Sequence, residues 1–183
     1  MLRWHATSLL IIILATLALA ADEAACEKFA WPLVRERTWF AAPDKPSISV
    51  GAQVSGVPKT AFVLSLASDT KASFAMPPER KPKAETWFGG MVTFSSPDKP
   101  GLHQITLSEE AWIDVVQDGR YLQALAHTGR RDCSSVRKSV RFDVSQAPFV
   151  VQLSGAASDT VTLAVAPAEQ AKEPYAPVPC RHR

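Results

Sequence analysis

Trp112 and Asp114 are separated by one residue in a run of alternating apolar side chains. On a strand such neighbours point to the same side. Past Asp118-Gly119, the residues Tyr121, Gln123 and His127 again share one parity. Asp-Gly between two alternating runs predicts a tight hairpin, because both turn residues tolerate positive φ. With Ile113, Val115, Leu122 and Ala124 turned to a core, Trp112, Asp114, Tyr121, Gln123 and His127 share an outer face. An aromatic ring flanked by carboxylate and amide groups can hold a sugar or a peptide end by stacking and oriented hydrogen bonds. The same pattern also suits an edge or core tryptophan with Asp114 in a structural hydrogen bond.

A second concentration is basic: Arg130, Arg131, Arg137, Lys138 and Arg141. Along residues 136–142, alternation sets Arg137, Ser139 and Arg141 opposite Val136, Val140 and Phe142. That predicts an exposed ridge centred on Arg137 and Arg141, able to grip phosphates or carboxylates through bidentate contacts. A solvated face neutralised by local acids is the alternative. Glu109 and Glu110 are adjacent, so on a strand they point apart and form no ready acid–base couple.

Other chemistries lack their residues. The sequence has no His-Glu-x-x-His and no Cys-x-x-Cys, so the compact zinc arrangements are missing. It has no Gly-x-Ser-x-Gly elbow and no phosphate-cradling glycine loop. A metal enzyme would have to draw on His103, His127 and a carboxylate such as Asp114. No metal site and no cofactor are expected.

The elements that must position these groups follow from the rest of the chain. Its 183 residues are 46% hydrophobic and 21% charged, which is the balance of one globular domain. A net charge of +2 is too small for general nucleic-acid binding. Arg3, the apolar run from Ser8 to Leu19 and the Ala18-Leu19-Ala20 ending form the pattern of a signal peptide over residues 1–20. The chain is therefore expected to be exported, periplasmic or secreted, with no stable membrane insertion after cleavage. Residues 21–46 read as a helical segment split by Pro32, with Phe29, Leu33, Trp39 and Phe40 on its apolar side. Residues 47–166 change to period two and predict an all-β antiparallel sandwich or jelly roll. Its strands are expected near 48–54, 61–67, 73–76, 91–94, 102–107, 112–116, 121–126, 136–144, 149–153 and 161–165. The stretch 77–83 reads as a Pro- and charge-rich loop that is not buried, and 167–183 as a Pro-rich flexible tail.

Cys26, Cys133 and Cys180 would meet an oxidising compartment after export. Three pairings are open; the preferred one is Cys26 with Cys133, which staples the N-terminus to the body.

Residues 88–166 resemble the small β-sandwich of bacterial pre-peptidase C-terminal modules. The shared features are the Gly101–Leu107 strand, the Ile113-Asp114-Val115 strand ending at Asp118-Gly119, and the late strands 149–153 and 161–165. The late Gly-Tyr-Tyr strand of such modules is missing. Through Cys26–Leu33 and Trp112–Gly119 the whole chain also resembles a group of small exported proteobacterial proteins of unknown function. Some of these carry the label homogentisate 1,2-dioxygenase, an enzyme with a His/His/Glu iron site to which nothing here corresponds residue by residue. The first resemblance implies an exported accessory module, associated with secreted enzymes or surfaces and without catalysis of its own. The Trp112 face and the Arg137–Arg141 ridge lead to the expectation of a non-catalytic periplasmic binding protein whose partner is an envelope glycan, an acidic polymer or a periplasmic protein. A metal-dependent enzyme and a purely structural envelope protein are the rival expectations.

Overall fold

The structure, a computed structural model, describes residues 22–169. The expected signal peptide, Cys180 and most of the expected tail lie outside that range. Two sheets pack face to face. One has the strand order β1 (Ser47–Ile48), β3 (Phe62–Ser65), β12 (Thr160–Pro167), β6 (Gly101–Leu107), β10 (Lys138–Val144) and β9 (Ala126–Gly129). The other runs β2 (Gln53–Val54), β5 (Phe88–Phe94), β11 (Phe149–Ala156), β7 (Trp112–Gln117) and β8 (Arg120–Tyr121), with β4 (Ala67–Ser68) also on β5. The protein is thus an all-β sandwich, as the period-two pattern predicts. Its sheets are mixed: the short pairs β1–β3 and β2–β5 are parallel, whereas the other pairs are antiparallel.

Alternation builds the core. Ile105, Leu107, Val140, Phe142, Val151, Leu153, Leu163 and Val165 turn inward and are buried. Phe94 sits among them, edge-on to Phe62 at 6.2 Å and tilted against Phe149 at 5.2 Å. Aromatic pairs of this kind add to the free energy of area burial.

Three expected strands are cut because the chain changes sheet. The run 48–54 breaks at Gly51 (φ 78°) into β1 and β2, one in each sheet. The run 61–67 likewise splits into β3 and β4. The run 121–126 gives β8 in one sheet and β9 in the other, joined by residues 122–125. Residues 73–76 form no strand: the Met76 N–H and C=O bond the side-chain amide of Gln152 at 3.3 and 2.9 Å instead of a ladder. The Asp-Gly hairpin forms as read, with positive φ at Asp118 (54°) and Gly119 (70°).

Gly90 is fixed by both conformation and space. Its φ is +152°, and an added Cβ would stand 2.2 Å from Val50 Cγ2. Gly90→Ala should therefore lower stability by about 2–3 kcal/mol through backbone strain and overpacking. A denaturant melt checks this, since an unchanged midpoint would show that the β1–β2 crossover moves aside freely.

The N-terminal segment lies on the outer face of the β12–β6–β10 sheet. A helical turn at 22–26 leads through Pro32 to the helix α1 (Val34–Ala41), which ends before Pro43. Proline there disfavours the helical conformation at Ala42, whose ψ is 134°. Phe29, Trp31, Leu33 and Phe40 are buried with Ala61, Val136 and Ala164 in a second apolar cluster. Cys26 and Cys133 lie at disulfide distance within it, with Cα atoms 4.8 Å apart. Asp22 adds a second tie. It accepts from the Ser134 backbone N–H (2.7 Å) and hydroxyl (2.8 Å), which hold its carboxyl below the usual value. A depressed carboxyl favours the folded state above its ordinary pKa, and that benefit is lost as pH falls through the lowered value. Among the described residues no helix is long and apolar enough to cross a membrane.

Candidate functional site

A cleft of about 600 Å³ opens where the two sheets part, between β7 on one side and β9 and β10 on the other. The sheet switch at 122–125 creates it, because β8 pairs with β7 only at Val116 and Gln117 and leaves the Trp112 end uncovered. Arg80, Arg131, Arg137 and Lys138 line it, with Glu110 as its one acidic residue among the described residues. A second hollow of about 340 Å³ shares Arg80, Glu110, Trp112, Arg131 and Lys138 with the first and adds Lys81 and Lys83. Ser154, which is 2% exposed, also lines it, and its Oγ has no hydrogen-bond partner among the described residues.

Lys138 reaches the cleft because it shares the inward parity of Val140, Phe142 and Val144 at the open end of β10. Its ammonium bonds the Ala111 carbonyl at 2.9 Å and stands 5.5 Å from the Trp112 ring centre. The Arg80 guanidinium stands 5.3 Å from the same ring. Trp112 thus holds two cations by its π face. It is less an open platform for stacking a sugar than a bracket for charge.

Asp114 anchors that bracket from outside the cleft. It is 3% exposed, and its carboxylate accepts from Trp112 Nε1 (2.6 Å), Gln152 Nε2 (3.3 Å) and the Glu79 backbone N–H (3.2 Å). The last bond fixes the loop residue next to Arg80. The 77–83 loop is itself mostly exposed, as expected, yet it lies across the outer face of β7 and β11 and covers Asp114. Tyr121 donates its hydroxyl to the Pro77 carbonyl on that loop. Desolvation, with the carboxylates of Asp114 and Glu79, raises the Tyr121 pKa.

Of the residues expected to share one face, Trp112 and His127 line the cleft, and Asp114 and Tyr121 hold its loop wall. Gln123 is exposed on the switch segment and Ala124 lines the cleft instead of facing the core. His127 enters from the opposite sheet, opposite Val140 in register. Parity along one continuous strand could not show this, because the strand is not continuous.

The Arg137–Arg141 ridge is also divided. Arg137 faces the cleft and pairs with Glu110 at 2.6 Å, while Lys138 meets the same carboxylate at 3.4 Å. Arg141 packs 4.1 Å from the ring centre of Trp31 and bonds Gln104 Oε1 (3.3 Å) and the Glu169 carbonyl (3.0 Å). Burial pulls its pKa down, with Glu36 and Glu169 opposing the shift. The exposed ridge expected from alternation is therefore covered, because the N-terminal segment needs the same face for its aromatic residues. Arg130 is taken by Asp132 at 2.6 Å.

Among the described residues no three His, Cys, Asp or Glu side chains gather as metal ligands. His103 is buried and bonds the Gly101 carbonyl at 2.9 Å; it lies two strands from His127, with β10 between them. Arg80 is not among the residues the sequence singles out, and Glu110 is read there only as no part of an acid–base couple. A basic residue beside the prolines of a loop carries no pattern that aims it at a distant tryptophan. No family model, curated protein or solved structure matches the chain, so the cleft has to be understood from its own side chains.

Proposed function

We propose that this chain is an exported, non-catalytic binding protein whose cleft takes an acidic ligand. The observation that carries this reading is the gathering of Arg80, Arg131, Arg137 and Lys138 around one cleft with a single opposing carboxylate, Glu110, among the described residues. Such a concentration of like charge in a partly walled cleft focuses the field toward an incoming anion. Export is supported by the apolar N-terminal run and by a cysteine pair at bonding distance. An accessory role beside a secreted enzyme or envelope component accords with the resemblance to pre-peptidase C-terminal modules.

Glu110 is an exposed carboxylate set between Arg137 and Lys138, and in this reading it occupies the place the ligand's anionic group takes. The test is a thermal-melt series on oxidised protein with citrate, oligogalacturonate and a neutral dextran. The acidic probes should raise the melting temperature with concentration, and less so at high salt. Arg137→Ala with Lys138→Ala should abolish the rise, while Glu110→Gln should enlarge it. Equal rises with dextran, or an unchanged response in the double variant, would defeat the proposal.

A further inference from the structure

Among the described residues β9, which forms one wall of the cleft, is an open sheet edge, and its backbone groups without a partner there can be identified. The Ser108 N–H reaches the Thr162 carbonyl and the Ala168 N–H reaches the Leu102 carbonyl. These bonds turn the even-numbered residues of β6 toward β12 and leave Ile105 and Leu107 to pair with β10. Antiparallel ladders alternate sides, so Val140 is spent on β6, whereas Ser139 and Arg141 face β9. Their partners there are Thr128 and Ala126. The N–H and C=O groups of His127 and Gly129 therefore point away from the sheet, where β9 is the terminal strand and both residues are exposed.

We infer that the acidic ligand is an extended peptide segment of another protein, added as a further strand along β9. This rests on the anion-binding reading above and names its ligand class. Outward N–H and C=O groups on alternate residues, about 7 Å apart along the strand, are the spacing at which a second peptide strand offers its own. A glycan has no matching alternation of donors and acceptors. Strand addition also places every second side chain of the guest on the cleft side, toward Arg131, Arg137 and Lys138. The fitting guest is a segment with acidic residues at alternate positions. The edge itself carries no proline, unlike many edges that are protected from pairing.

The test uses the full oxidised chain and a decapeptide of alternating Glu and Thr, with two further versions N-methylated on every Glu or on every Thr. Oligogalacturonate serves as the polyanion without peptide groups. The parent peptide should bind and slow amide exchange at His127 and Gly129. One methylated version should bind within about twofold of the parent and the other about tenfold or more weakly, since only one edge of the guest pairs. Equal binding by the two methylated versions, or unchanged exchange at those two amides, would overturn strand addition. Binding of oligogalacturonate without the peptide would overturn it while leaving the anionic cleft intact. Binding of neither would remove both readings together.

Discussion

Reducing the Cys26–Cys133 bridge should lower the stability of the protein by ~5 kcal/mol. The bridge spans 107 residues of sequence, and the chain-entropy estimate for a loop of that order is about 4–5 kcal/mol. In a domain of this size each kcal/mol moves the melting temperature by roughly 2–4 °C, so the expected drop is about 10–20 °C. The loss should begin locally. The 22–41 segment is held on its sheet by the bridge, by Asp22 on Ser134 and by four buried apolar side chains. Without the bridge it can lift away from Gln104 and Arg141 while the sandwich stays folded. Amide exchange in oxidised and reduced protein separates the two effects. Faster exchange first in residues 22–41 and around Arg141 is expected; identical melts with and without reductant would show that the bridge constrains nothing.

The second large effect is expected at Asp114. Its carboxylate accepts from three donors in a buried position, and Asp114→Ala leaves Trp112 Nε1 and the Glu79 N–H without this acceptor, while Gln152 Nε2 keeps the Met76 carbonyl. Orphaned donors of this kind cost about 1–3 kcal/mol each before relaxation, so a net loss of roughly 3–4 kcal/mol is expected. Asp114→Asn keeps one acceptor oxygen and should lose about half as much. Neither change touches the cleft directly. Both should nevertheless weaken anion binding, because Arg80 follows Glu79 in the loop and rests on the ring that Asp114 orients. Asp114 is a positioning residue in this account. If Asp114→Asn melted lower yet bound citrate with unchanged affinity and salt dependence, Arg80 would have no part in the site.

The bridge and the Asp114 site also show what the sequence could and could not convey. The period-two runs and the Asp118-Gly119 turn were legible because each rests on local chemistry, whereas the cysteine positions left three pairings open, with Cys26–Cys133 preferred among them. The placement of Trp112 opposite Ile113 and Val115 followed from parity alone. The cleft was not legible as a whole. It exists because the chain leaves one sheet after Tyr121 and joins the other at Ala126, and residues 121–126 read as an unbroken strand. Lys138 shows the same limit. It shares parity with Val140 and Phe142, and only the open end of the sandwich lets an inward lysine reach solvent. Arg141 lies opposite Phe142, as alternation places it, but the exposure expected of that side is lost under the N-terminal segment, since alternation cannot tell a solvated face from one roofed by a distant segment.

The most direct test of the anionic cleft is chemical-shift mapping of isotope-labelled, oxidised protein titrated with citrate at low salt. Saturable shifts confined to residues 110–113, 127–131 and 137–140 and to the Arg80 loop are expected, fading as salt is raised. Shifts centred on Arg35 or Arg120 instead, or spread without saturation over every exposed lysine and arginine, would contradict that expectation.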